Sequence, residues 1–168
     1  LIADSVELNA TATIDTSSGN ANVTLLGGQP GGDADGIYAS ADALRLNIRA
    51  GAGTVFLGGN ESAGAVAGFG NNNGAASLIR YVDVVASETR FYAATNSFEW
   101  DLYVDGATTL ANPNNVAMTF AGVFVDFDTT LDSATGTTND LVLNITGDSR
   151  LRGAVGSIVP LGSLTAQS

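Results

Sequence analysis

Pairs of carboxylates two residues apart are the first features of this chain that could do chemistry. In Gly31-Gly32-Asp33-Ala34-Asp35-Gly36, Asp33 and Asp35 sit on a glycine-flexed loop. Hard cations such as calcium take several oxygen ligands, and such a loop offers two carboxylates at once. An EF-hand loop would close on a Glu at its end, and Leu44 stands there. The glycine-rich nonapeptide of calcium-binding β-repeats is also unmatched. A solvated turn is the stronger reading of Asp33 and Asp35, with a calcium site as the alternative; no other cofactor is expected. Asp126 and Asp128 form the second pair. On a strand they point to one face, roughly 7 Å apart. Joined by Asp132 or Asp140, they would imitate the acid and the base or nucleophile of a polysaccharide-cleaving enzyme. Such a site usually enlists a cationic side chain, and none lies near in sequence, so a solvated strand face is the expected role.

Aromatic residues gather between Tyr81 and Tyr103, namely Tyr81, Phe91, Tyr92, Phe98, Trp100 and Tyr103. Flat amphipathic rings can stack on sugars. Trp100, Leu102 and Val104 share one face of an alternating segment and read as core. Tyr103, on the polar side with Glu99, Asp101 and Asp105, is the residue expected to make an exposed contact. Four N-x-[ST] sequons, at Asn9, Asn22, Asn60 and Asn144, are unsurprising in a chain rich in Asn and Thr.

The composition narrows the possible jobs. The chain has 168 residues, 21 of them glycine, and a net charge of −11 with six arginines, no lysine and no histidine. Nucleic acid and anionic membrane surfaces therefore have no basic footprint to meet. No cysteine is present, which removes disulfides and thiolate metal sites. No run approaches the ~20 apolar residues of a membrane-spanning helix. The chain opens at Leu1 without a signal-peptide pattern, and is expected to be one all-β domain, 1–168, from a larger or processed secreted protein.

Short β-prone runs separated by Gly, Asn, Asp and Ser fill the chain. Val6 to Ile14, Ala21 to Leu26, Leu44 to Ile48, Thr54 to Leu57, Leu78 to Ala86, Arg90 to Ala94, Phe98 to Val104 and Leu141 to Thr146 read as strands, and Val116 to Asp128 as a strand pair or one bent strand. The phrase [Val/Leu]-x-Leu-Asn recurs at Val6, Leu44 and Leu141. Its offsets suggest a solenoid of about 19 residues per coil and about eight coils, a rod on the order of 40 Å long, with the phrase's asparagines stacked as an amide ladder.

The segments VELNATATIDTSSGNANVTLLGG, LRLNIRAGAGTVFLGG and the tail GAVGSIVPLGSLTA resemble repeat units of large bacterial filamentous-haemagglutinin-like and autotransporter-like exoproteins. That resemblance implies a right-handed parallel β-helix and export as a rod or adhesin. It carries no catalytic residue. Glu61 to Asn139 departs from it, with longer strands and more aromatics, and there a β-sandwich with Greek-key strands is the alternative fold.

With no histidine, cysteine or phosphate-cradling loop, no enzymatic activity is expected. The leading expectation is an extracellular, cell-surface structural or adhesive module. Its open coil ends would stack head-to-tail into a filament through Leu1, Ile2, Ile158, Val159 and Leu161. The other partners expected are cell-surface or matrix glycans. The alternative is a carbohydrate-binding module, with or without calcium; a β-helix polysaccharide-cleaving enzyme ranks third.

Overall fold

The computed structural model describes residues 6–25, 37–58 and 78–167. The expected calcium ligands Asp33 and Asp35, and the expected contacts Leu1 and Ile2, lie outside them. The described residues hold fifteen strands and no helix. These are β1 (Val6–Leu8), β2 (Ala12–Asp15), β3 (Val23–Leu25), β4 (Ile37–Ala39), β5 (Arg45–Arg49), β6 (Thr54–Leu57), β7 (Tyr81–Phe91) and β8 (Thr95–Ser97). There follow β9 (Asp101–Leu110), β10 (Ala117–Gly122), β11 (Phe124–Phe127), β12 (Leu131–Ser133), β13 (Asp140–Ile145), β14 (Ser149–Leu151) and β15 (Leu164–Gln167).

Among the described residues every strand pair is parallel. Greek-key sandwiches are built from antiparallel strands, so that alternative does not describe these residues. From β7 onward the chain alternates between a nine-stranded and a four-stranded sheet, the latter ordered β15-β13-β10-β8. In the four-stranded sheet each strand is laid beside its predecessor at a nearly even step, whereas β7 and β9 are offset by 19 or 20 residues. Thr95 lies opposite Thr119, Ala117 opposite Asp140, and Leu141 opposite Leu164, a step of 23 or 24 residues. Earlier in the chain the step is longer, with Ala12 opposite Leu46 and Arg45 opposite Tyr81.

The expected 19-residue period is therefore corrected. The three [Val/Leu]-x-Leu-Asn phrases fall in β1, β5 and β13, which belong to three different sheets. The phrase marks a strand with a buried leucine (Leu8, Leu46 and Leu143 are all buried) but not a place in a repeat. The longest run of neighbouring strands is six, β2-β5-β7-β9-β11-β14, which spans about 24 Å at the usual strand spacing.

The nine-stranded sheet folds into two arms. A β-bulge between Val85 and Glu88 shifts the inward set of β7 from Val82 and Val84 to Thr89 and Phe91. Opposite it, Gly106 takes φ +117, and a Cβ there would strike the Ala86 carbonyl oxygen. One arm contains β2, β5, the first half of β7, the first half of β9, β11 and β14. The other contains β3, β6, the second halves of β7 and β9, and β12.

Alternation puts like residues into inward columns. Ile14, Ile48, Val84, Val104, Phe127 and Leu151 form one, and Leu25, Leu57, Phe91 and Leu110 another. Phe120 of the four-stranded sheet meets Phe91 of the second arm edge-on at 5.0 Å and Phe127 of the first arm at 5.5 Å. All three sheet faces thus share one core. Each fully buried aliphatic or phenylalanine side chain there contributes about 1.5–3 kcal/mol.

Between the sheets, asparagines tie the corners. Asn139 is fully buried and donates to the Leu110 and Asn112 carbonyls at 3.0 Å each, while its Oδ1 accepts the Val116 N–H at 3.1 Å. Asn112 donates to the Tyr92 carbonyl at 2.7 Å. These are not the asparagines of the repeated phrase. Asn9 and Asn144 are exposed, and Asn47 bonds across the outer face to the Ala12 carbonyl and the Thr13 hydroxyl, so the expected amide ladder is absent from those positions.

Candidate functional site

The outer face of the first arm gathers Arg and Asp side chains around two exposed rings, Trp100 and Tyr103. In parallel register, outward side chains also line up across strands. Arg45, Tyr81, Asp101 and Phe124 form one outward row, and Asn47, Asp83, Tyr103, Asp126 and Arg150 the next. Beyond it lie Asp15, Arg49, Val85 and Asp105. A shallow depression of about 500 Å³ opens between Arg49, Asp83, Tyr103, Asp105, Asp126 and Asp128.

Tyr103 is 42% exposed, as its place on the polar side of β9 led one to expect. Its ring packs against Phe124 at 5.1 Å. Partial burial, then the negative charges of Asp101 and Asp126, push its hydroxyl above the ordinary tyrosine range. Trp100 contradicts its expected place in the core, since it too is 42% exposed while Leu102 and Val104 are buried. The reason is local. The N–H groups of Trp100 and Asp101 both donate to the Arg80 carbonyl, at 3.1 and 3.0 Å, so the alternation begins only at Asp101. The same doubled bond recurs one strand on, where Val123 and Phe124 donate to the Trp100 carbonyl.

Asp126 and Asp128 are joined by a residue that lies more than twenty positions further along the chain and shares no motif with them. Arg152 bonds both oxygens of Asp126, at 2.7 and 2.6 Å, and lies 3.5 Å from Asp128. Asp126 is 5% exposed, a buried carboxylate held by a forked guanidinium. That bond and the charge of Asp126 raise the Arg152 pKa further. A nucleophile or proton donor at Asp126 would first have to leave this pairing. Asp132 and Asp140 do not join the pair. Asp132 accepts the N–H groups of Ile158 and Val159, at 2.9 and 3.4 Å, beside a second depression of about 350 Å³ on the other arm. Asp140 begins β13 in the four-stranded sheet.

Arg49, Asp83 and Arg152 went unmarked in the sequence reading. The available signal was the strict alternation of Arg45-Leu46-Asn47-Ile48-Arg49, whose polar members had to face outward. Which polar residue each would meet depends on register, and Arg49 pairs with Asp83 across 34 residues of chain. Among the described residues, no group of three His, Cys, Asp or Glu side chains is placed to hold a metal ion.

The tail residues expected to make contacts, Ile158, Val159 and Leu161, lie within the described residues. Ile158 is 79% exposed, while Val159 and Leu161 are half-buried. The segment is anchored by Asp132, by the Leu131 to Val155 bridge, and by the Gly156 N–H on the Leu131 carbonyl at 2.8 Å. No protein-family model, curated protein or solved structure matches this chain.

Proposed function

We propose that this chain is an extracellular structural or adhesive module of the bacterial cell surface. It winds as a right-handed parallel β-helix and extends by end-to-end association. The observation that carries this reading is how the inward columns finish. Met118 and Leu141 are fully buried, whereas Leu164, the next member of their column, is 50% exposed. Val155 (36%) and Ile158 lie on the same margin.

Among the described residues, nothing pairs with the outer edges of β14 and β15. An open parallel edge with exposed apolar residues is a template for a further strand. Chain winding in alternation between sheets, at steps of 19 to 24 residues from β7 onward, supports the helical reading. The hand follows from the strong preference of parallel crossovers for the right-handed path. An acidic, cysteine-free composition fits an exported surface protein.

At the other margin β2 offers Ala12 and Ile14, both half-buried, with Asp15 outward. Arg150 and Arg152 near the first margin and Asp15 at the second are complementary in charge. Head-to-tail contact of two copies continues both the inward columns and the outward Asp–Arg rows. Electron microscopy and sedimentation across a concentration series test this. Rods that lengthen with concentration are expected, and Leu164→Asp together with Ile158→Asp should stop their growth. Compact monomers at every concentration would overturn end-to-end association.

A further inference from the structure

Charge accounting on the outer face singles out a class of ligand. All six arginines of the chain are already turned onto its own groups. Arg45 lies over the Tyr81 ring at 4.0 Å, Arg80 over Trp100 at 4.4 Å, and Arg150 over Phe124 at 5.0 Å. Arg49 pairs with Asp83, Arg90 with Glu88, and Arg152 with Asp126. With no lysine or histidine in the chain, each of these six cations already faces a group of its own, and the face as a whole is acidic.

What stays available on the same face is different. Tyr103 on β9 and Trp100, just before that strand begins, each expose 42% of their surface. Three residues of chain reach at most about 10 Å, within the length of two hexose rings laid end to end. Asp105 is exposed and Asp128 is half exposed, both at the rim of the depression beside Tyr103. Ionised carboxylates only accept hydrogen bonds, so they match hydroxyl donors. Val85 supplies an apolar patch on the floor. Val85, Tyr103 and Asp105 stand on paired strands in the interior of a six-strand run, which fixes their spacing before any ligand arrives.

We propose that this face binds a neutral, hydroxyl-rich glycan, one hexose face stacked on Tyr103, a neighbouring ring against Trp100, and hydroxyls donating to Asp105 and Asp128. The site faces outward from the first arm, away from the edges where copies would stack, so it stands whether or not rods form. Polyanionic glycans are turned away by Asp83, Asp105, Asp126 and Asp128, which outnumber Arg49, Arg150 and Arg152 on this face.

Trp100 is the chain's single tryptophan and reports occupancy directly. The test is fluorescence titration and acrylamide quenching of the whole chain with cello-, xylo-, laminari- and manno-oligosaccharides, with oligogalacturonate and chitosan oligomers as charged comparisons. A neutral oligosaccharide should shield Trp100 from quenching, with an affinity unchanged by added salt. Tyr103→Ala, whose fold is checked by circular dichroism, should weaken it about tenfold, the cost of one lost ring contact. Asp105→Ala should weaken it as well. Oligogalacturonate should leave the emission unchanged. The proposal is overturned if no neutral oligosaccharide shields Trp100, if Tyr103→Ala binds like the parent chain, or if only chitosan binds and salt abolishes it, which would make this a cation site. None of these failures alters the rod test, which reads assembly rather than sugar.

Discussion

Asn139 is where one side-chain amide holds three parts of the backbone together, and Asn139→Ala is the most informative single perturbation of the fold. The side chain is fully buried and bonds the Leu110 carbonyl, the Asn112 carbonyl and the Val116 N–H. Its own N–H is met by the Ser133 hydroxyl at 3.0 Å. It therefore ties the end of β9, the approach to β10 and the start of β13. Truncation to alanine strands the Asn112 carbonyl and the Val116 N–H in a closed corner, while the Leu110 carbonyl keeps the Ala134 N–H at 2.9 Å. A buried polar group stranded this way costs about 1–3 kcal/mol, so a loss of about 2–4 kcal/mol is expected after local relaxation. That is a large share of the roughly 5–15 kcal/mol that holds a typical domain together. Asn139→Asp keeps the acceptor but loses the donors and turns a carboxylate toward two carbonyl oxygens, so it should cost at least as much. Asn144→Ala, on the exposed side of β13, should change stability by no more than about 0.5 kcal/mol. Urea unfolding followed by circular dichroism reads all three as midpoint shifts at constant slope. If Asn139→Ala unfolded at the same urea concentration as Asn144→Ala, the corner network would not be a stabilising element and the reasoning would fail.

Three further outcomes follow from other parts of the structure. Gly106→Ala should destabilise by about 2–3 kcal/mol, because the new Cβ meets the Ala86 carbonyl at a positive φ; an unchanged melting temperature would show that the bulge can slide. Phe120→Ala removes the ring between Phe91 and Phe127 and should cost about 3–5 kcal/mol in denaturant unfolding. Asp101 has its pKa raised from 3.8 by burial, with Arg45 and Arg80 pulling it back only in part. The folded state thus holds that proton more tightly than the unfolded chain. Its stabilising effect is complete below the unfolded value and is lost as pH rises through the folded one. Asp101→Asn should accordingly be more stable than the parent chain at neutral pH, with the gap closing well below pH 3.8; a gap that widens in acid would contradict this.

Much of the fold was legible because strand alternation is a local property. Arg45 to Arg49 and Leu141 to Ile145 show which residues face inward by sequence alone, and the structure buries Leu46, Ile48, Leu141, Leu143 and Ile145 accordingly. Tyr103 was placed on the outer face by the same rule. The all-β class follows from a chain poor in strong helix formers and rich in turn residues. Trp100 was misplaced by extending that rule one residue too far, across a doubled hydrogen bond that no periodicity reports.

Register and partnership were decided only in three dimensions. Parallel pairing sets residues some 20 to 36 positions apart side by side, as the step from Tyr81 to Asp101 or from Arg45 to Tyr81 shows. Because that step varies along the chain, a search for one fixed period finds the wrong one. The meeting of Arg152 with Asp126, of Arg49 with Asp83, and of three phenylalanines from three sheet faces follows from which strand lies beside which. A strand's own sequence fixes which side each residue faces. Its neighbours are chosen by the length and path of the connections, whose closure depends on the whole chain.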